Sequence, residues 1–333
     1  MAGAVHAFSP KEWKVAVVSD ATNAGATGIG STMNQLDVDS IGMPSLNPNQ
    51  VLEVKSGGGR TLKDEDVFQS NVLRVSEFSL SGTLHNDTGH KLLLQNICND
   101  VTGDVAVASG FTAASQNIAG STAVTNAASS LTFVFQPSDV TNQQGMEFFG
   151  CVVTNFSISA DLGTEGGRYK WSATIQTGKV PDLASTAEPT ITAYANTNVP
   201  LLSNASDVRI SDVSNMVLNS FTATIDSPAV FTGHTTTGYE VVSRGAEIAV
   251  TADAQVKYDG NTKTFISEFD TQTGANTAGN MLKIVNNNAY GILITSGLFT
   301  NVALSEGDIM MLDCSIKAVD DGSSDLISFD LSA

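Results

Sequence analysis

The chain has 333 residues, 41% hydrophobic and only 15% charged, which is enough apolar material for a core and room for two β-rich domains. Its 34 acids against 16 bases leave a net charge of −18, which disfavours tight DNA binding because that affinity comes from Lys and Arg on phosphates. The cysteines Cys98, Cys151 and Cys314 are odd in number and far apart, which excludes a disulfide framework and suits small hydrophobes made in a reducing cytosol.

The opening Met1-Ala2-Gly3-Ala4-Val5-His6 has neither the basic nor the apolar region of a signal peptide. Residues 19–59 are rich in Asn, Gly, Ser and Thr, carry Gly57-Gly58-Gly59, and read as a long irregular loop. In Val75-Ser76-Glu77-Phe78-Ser79-Leu80-Ser81 the Phe and Leu share one strand face and the hydroxyls the other. A short helix is expected at 90–98, where Leu92, Leu93, Leu94 and Ile97 lie between Gly89 and Asn99-Asp100. Residues 101–130 are almost wholly small, with Asp104 the one charge, and read as a second long loop.

The Phe pattern returns at Val153-Thr154-Asn155-Phe156-Ser157-Ile158-Ser159 and at Leu218-Asn219-Ser220-Phe221-Thr222-Ala223-Thr224, and nearly at Leu326-Ile327-Ser328-Phe329-Asp330-Leu331-Ser332. Strands alternate at 168–176 (Tyr169, Trp171, Ala173, Ile175), at 247–258 (Ile248, Val250, Ala252, Ala254, Val256, Tyr258) and at 309–319 (Met310, Leu312, Cys314, Ile316, Ala318). Asp259-Gly260-Asn261 ends the second of these, and a weaker helical pattern follows at 264–270. The longest apolar runs, such as Gly291-Ile292-Leu293-Ile294, are too short to span a membrane.

These echoes imply a duplicated β-domain: a first module at 1–180, a linker at 181–205 and a second module at 206–333, with Phe156 and Phe221 at equivalent positions. Residues 1–180 hold 16 acids and 10 bases, a charge of −6, and residues 181–333 hold 18 and 6, a charge of −12.

No catalytic, cofactor-binding or metal-ligating residue is expected, and the chain is not read as an enzyme. The histidines are His6, His85, His90 and His234; the spacing of His85 and His90 excludes a helical metal pair, and surface or capping roles are expected for them. Gly28-Ile29-Gly30 lacks the setting of a dinucleotide site, and Gly57-Gly58-Gly59-Arg60 lacks the P-loop pattern. Asp64-Glu65-Asp66 reads as a solvated charge cluster, and Asp270-Thr271-Gln272-Thr273-Gly274 lacks the Glu that closes a calcium loop. Low charge, small residues and repeated strands suit a protein whose work is lateral association.

One succession of segments is distinctive. Glu12-Trp13-Lys14-Val15 leads through Thr22-Asn23-Ala24-Gly25-Ala26-Thr27 and Gln35-Leu36-Asp37-Val38 to Gly58-Gly59-Arg60-Thr61, then to Phe78-Ser79-Leu80-Ser81 and the helix at 92–98. The segment at 153–158 then precedes Lys170-Trp171-Ser172-Ala173-Thr174-Ile175, and Val217-Leu218-Asn219-Ser220-Phe221 precedes Arg244-Gly245-Ala246-Glu247. Over most of the chain this resembles the tail tube (major tail) proteins of long-tailed bacteriophages; the length of 101–130 departs from that pattern.

The resemblance implies a mainly β fold of packed antiparallel sheets, a sandwich or barrel module with one short flanking helix, here duplicated. It implies that copies form rings, trimeric with pseudo-sixfold symmetry or hexameric, stacked into a hollow tube for genome delivery. It further implies other tail proteins as partners, DNA passing without tight binding, no membrane, and a place in the virion tail after synthesis in the host cytoplasm. The acid excess predicts a negative lumen, and the segment 101–130 is expected to bridge subunits. Another virion protein, a capsid or capsid-decoration protein, would share the composition. A secreted adhesin would need a signal sequence, and a carbohydrate-active enzyme would need paired carboxylates near aromatics.

Overall fold

The computed structural model describes residues 10–20, 32–45, 49–53, 61–70, 75–98, 116–117, 130–137, 145–182, 189–194, 199–236, 238–244, 247–277, 279–286, 290–305, 309–321 and 326–330. Strands β1 (Trp13–Asp20), β2 (Thr32–Gln35), β3 (Ser40–Ser45), β4 (Asn49–Leu52), β5 (Val67–Ser70) and β6 (Ser76–Thr83) lead to helix α1 (Thr88–Ile97). After it come β7 (Gln116–Asn117), β8 (Ser130–Pro137), β9 (Met146–Asp161), β10 (Lys170–Thr177), β11 (Thr190–Thr192) and β12 (Asp207–Ile210). Then follow β13 (Leu218–Asp226), β14 (Ala229–Thr235), β15 (Gly238–Arg244), β16 (Ala249–Lys257), α2 (Thr264–Thr271), β17 (Leu282–Asn286), β18 (Tyr290–Ile294), β19 (Gly297–Ser305), β20 (Met311–Ala318) and β21 (Ser328–Asp330).

Alternation makes these strands. In β10, Trp171, Ala173 and Ile175 are buried while the residues between them are not, and β16 repeats this with Val250, Ala252, Ala254 and Val256. Helix α1 starts where the extended Asp87 accepts a bond from the His90 amide at 2.9 Å, a cap worth about 1 kcal/mol. Its Leu93, Leu94 and Ile97 are buried.

Eight strands lie in line, β3-β6-β10-β9-β13-β16-β20-β19, each antiparallel to its neighbours, within a sheet of 12. The 16-residue β9 forks this sheet: its first half pairs β8 and its second half pairs β13. The branch runs on from β8 to β1, β2 and β11 and folds over β6, where Phe78 meets Phe133, Phe135 and Phe148 at ring distances of 5.4, 5.2 and 5.3 Å. A second sheet, β12-β17-β18-β21-β7, covers the other half, with Tyr169 between Phe221 and Tyr290 at 5.2 and 6.4 Å. One hydrophobic core runs through both halves.

The line of eight strands repeats itself as β3-β6-β10-β9 and β13-β16-β20-β19. In each half a two-stranded arm, β4–β5 or β14–β15, leaves after the first strand, and a helix follows the second. The registers agree: the row Ile41, Leu80, Ala173, Phe156 matches the row Phe221, Ala254, Cys314, Val302. Both fourth strands carry a β-bulge at the same place, at Thr154 and Thr300. The bulge hydroxyls donate to equivalent carbonyls, Thr154 to Thr174 at 3.3 Å and Thr300 to Ser315 at 3.2 Å. An amide side chain from each helix end accepts from the residue before the bulge: Asn96 from the Val153 amide at 2.7 Å and Gln272 from the Phe299 amide at 3.2 Å.

Several expectations change. Phe156 corresponds to Val302 and Phe221 to Ile41, so Phe156 and Phe221 are not equivalent. Their segments look alike because β9 and β13 are paired neighbours with phenylalanine on the same core face. Residues 19–59 are not one irregular loop, since β2, β3 and β4 lie within them; short polar strands carry little apolar alternation to betray them. There are two flanking helices rather than one. Within 101–130 only Gln116–Asn117 and Ser130 are described, so the expected subunit-bridging role of that segment lies outside the described residues.

Candidate functional site

The face of the eight-stranded sheet turned away from the core is rich in hydroxyls and amides. It carries Ser79 and Ser81 from β6, Ser172 and Thr174 from β10, Ser157 and Ser159 from β9, and Thr222 and Thr224 from β13. β16 and β20 add Thr251, Asp253, Gln255, Asp313, Ser315 and Lys317. Strand period alone explains this, since each residue alternates with a buried one.

Neighbouring side chains hold the carboxylates in place. Ser315 donates to Asp253 at 2.6 Å, Gln255 to Asp313 at 2.8 Å, Asn219 to Gln255 at 2.7 Å and Gln176 to Glu77 at 2.7 Å. Among the described residues the strands of this face carry five acids (Glu77, Asp161, Asp226, Asp253, Asp313) and three lysines (Lys170, Lys257, Lys317), and Asp39 and Glu247 beside them pair with Lys170 at 2.8 Å and Lys317 at 3.6 Å. Two open depressions mark it, of about 360 Å³ between Asp161, Lys170 and Thr222 and about 230 Å³ between Ser40, Ser81 and Ser172. The arrangement offers many weak, neutral contacts and few charges. Acids outnumber lysines on this face.

The sheet ends in two edges. Among the described residues β3 pairs with the strand β6 and β19 with the strand β20, Gly297 at the start of β19 also bridges to Asn276, and Thr300, Asn301 and Ala303 of β19 are exposed. The arm β4–β5 presents Phe68 at 61% and Leu52 at 54% exposure. The arm β14–β15 lies on the first half instead: the Tyr239 amide donates to the Gly178 carbonyl at 2.8 Å, and Gly238 bridges to Lys179. At its base the buried Arg244 donates to the carbonyls of Val153 (2.6 Å), Ser227 (2.7 Å) and Asn96 (2.8 Å), and to the Asn96 Oδ1 (3.2 Å). Burial brings its guanidinium down to about 10. Nothing local in the sequence marks Arg244 or Asn96, because their partners lie up to 148 residues away.

His85 and His90 are buried rather than on the surface. His85 Nε2 lies 2.6 Å from Asp37 Oδ2 and His90 Nδ1 lies 2.8 Å from Asp87 Oδ1, which leaves the rings to structural pairing around the α1 cap. Burial works to raise the Asp37 carboxyl, but the bond from His85 and the charges of His85, His90 and Lys170 hold it below its usual range. Asp64 and Glu65 are exposed as expected, while the Asp66 carboxylate is buried and accepts from the Lys63 amide at 3.0 Å. Asp270 is exposed near the end of α2. Among the described residues no cluster of His, Cys, Asp or Glu is placed to hold a metal, and no helix is long and apolar enough to cross a membrane. The three cysteines are buried thiols outside any disulfide, with the Cys314 thiol pushed up to about 12 by burial and the nearby Asp313. His6, Gly28-Ile29-Gly30, Gly57-Gly58-Gly59-Arg60 and the side chain of His234 lie outside the described residues.

Comparison with known proteins adds one result. A family model described as phage tail tube protein matches residues 46–326, most of the chain. No curated protein matches it.

Proposed function

The chain belongs to the phage tail tube protein family, and we propose that three copies close into each ring of the tube. Its role is structural: copies self-assemble, alongside other tail proteins, into the tail tube of the virion. In our reading the two halves of the sheet are two tube modules, 1–180 and 206–333, joined by 181–205. A ring of three chains then presents six modules in quasi-equivalent positions.

The observation that supports this is the repeat of pairing register, down to the two bulges at Thr154 and Thr300. We further assign the hydroxyl-rich face to the lumen. DNA binding strengthens with each Lys or Arg placed on a phosphate. A face on which acids outnumber lysines gives the genome no electrostatic hold. The chain is made in the host cytoplasm before assembly.

Electron microscopy of the purified protein tests the reading. The expected result is tubes whose rings contain three chains and show quasi-sixfold density with two alternating modules. Six identical chains per ring, a lumen lined by another face, or a protein that stays monomeric at every concentration would overturn it.

A further inference from the structure

The strip of chain that follows β10 is held from two sides. Toward the second half, the Tyr239 amide of β15 donates to the Gly178 carbonyl and Gly238 bridges to Lys179. Toward the first half, Glu147 of β9 and Asp182 exchange both backbone bonds, the Glu147 amide donating at 2.8 Å and the Asp182 amide at 2.9 Å. Residues paired in this way carry their side chains on one face, with Cβ atoms about 5 Å apart. Backbone pairing therefore sets two carboxyl groups side by side.

Their surroundings differ. Glu147 is 1% exposed, and neither of its side-chain oxygens has a hydrogen-bond partner among the described residues. On its other side it faces Val134 of β8, which packs with Ala16 and Met33 in a small apolar cluster. Asp182 is half-buried. Strand β8 carries no ionisable side chain; Lys14, on β1 beyond it, is exposed, and Lys179 lays its methylenes against Gly150. An ionised Glu147 thus sits in an apolar site beside a second acid, a penalty that its protonated form escapes. Burial first, and the charge of Asp182 second, raise its carboxyl to about 7.

We propose that this carboxyl pair is a proton-operated latch: with Glu147 protonated the strip stays on β9 and holds the arm β14–β15 to the first half, and loss of that proton to solvent drives the two carboxylates apart and loosens strip and arm together. The latch lies within one chain and does not depend on how many copies form a ring. Its direction follows from the two states. In an open chain the glutamate gives up its proton near 4.5, and in the fold only near 7. The latch is therefore tight below about 4.5, weakens as pH rises from there to about 7, and weakens no further above. Arg244, at about 10, keeps its charge throughout this range, so the base of the arm stays clamped and the strip is the part that gives.

Hydrogen exchange of the full chain between about pH 5 and pH 8 tests the latch, with each rate corrected for the intrinsic pH dependence of amide exchange. The amides of Glu147, Asp182 and Tyr239, each bonded across the strip, should lose roughly tenfold to a hundredfold in protection over that range. Amides of the β13–β16 pair should lose none. Glu147→Gln should keep its protection level over the same range. Asp182→Asn, with the neighbouring charge gone, should end the loss at a lower pH and make it smaller. A carboxyl carbon-13 titration of the unaltered chain reads the same group without any substitution, and should place Glu147 near 7. Protection that ignores pH in the unaltered chain, an unaltered pH dependence in Glu147→Gln, or a Glu147 that titrates near 4.5 would each overturn the proposal. Should Glu147→Gln fail to fold, the carboxyl titration and Asp182→Asn decide.

Discussion

The two arms leave the sheet at the same point of the repeat and end differently. The arm β14–β15 is bound to the body of its own chain, while among the described residues β4–β5 pairs only within the arm and exposes Val51, Leu52, Val67 and Phe68. A cation and two glycines make the difference. Arg244 reaches four oxygens at the base of the bound arm. At its tip Gly178 and Gly238 let two backbones approach so closely that a Cβ on Gly238 would strike the Gly178 carbonyl and Lys179. The arm without these features leaves its apolar side chains exposed. Shared topology thus sets where an arm begins, and a few side chains set whether it is bound to the body of its own chain.

The largest effect is expected at the clamp. Replacing Arg244 with Met takes the guanidinium away from the carbonyls of Val153, Ser227 and Asn96, at a cost of about 2–4 kcal/mol in urea denaturation. A loss below about 0.5 kcal/mol, the scatter of ordinary surface changes, would mean that the arm is held by something else. Gly238→Val comes next, at about 1–3 kcal/mol, because its φ of +119° suits only glycine and the added carbons meet backbone. Its signature is faster exchange of the Tyr239 amide, which loses the Gly178 carbonyl; unchanged exchange there would place the attachment elsewhere on the arm.

The two bulges allow a finer comparison. Thr154 is buried and Thr300 exposed, so Thr154→Val should cost about 1 kcal/mol and Thr300→Val nearly nothing in the free chain. Equal costs would show that the bulge hydroxyls work independently of burial. The smallest effect on the free chain is expected at the exposed arm. Phe68→Ser should shift its stability by no more than about 0.5 kcal/mol yet lower the yield of tubes seen by electron microscopy. Undiminished tube formation would remove the exposed arm from the assembly contacts.

Much of this was legible before the fold. The alternation at 168–176, 247–258 and 309–319 locates β10, β16 and β20, and the clustered leucines locate α1. The duplication was legible in outline, but its register was misread at Phe156 and Phe221, because a core-facing phenylalanine looks the same on any strand. The polar face was visible as the other half of each alternation. Its coherence across eight strands was not, nor was the burial of His85, whose carboxylate partner Asp37 lies 48 residues earlier.

Local sequence determined which residues of each strand face oil and which face water, because a period of two is written into neighbouring positions. It also determined where α1 starts, through Asp87, and the low charge of the sheet's outer face. Tertiary structure decided which strands meet, at what register, and which arm is bound. Antiparallel pairing, the Arg244 clamp and the glycine contact join residues far apart in the chain. A slip of one residue would leave each strand's own pattern intact while reversing every face, so only the packed sheet selects one register.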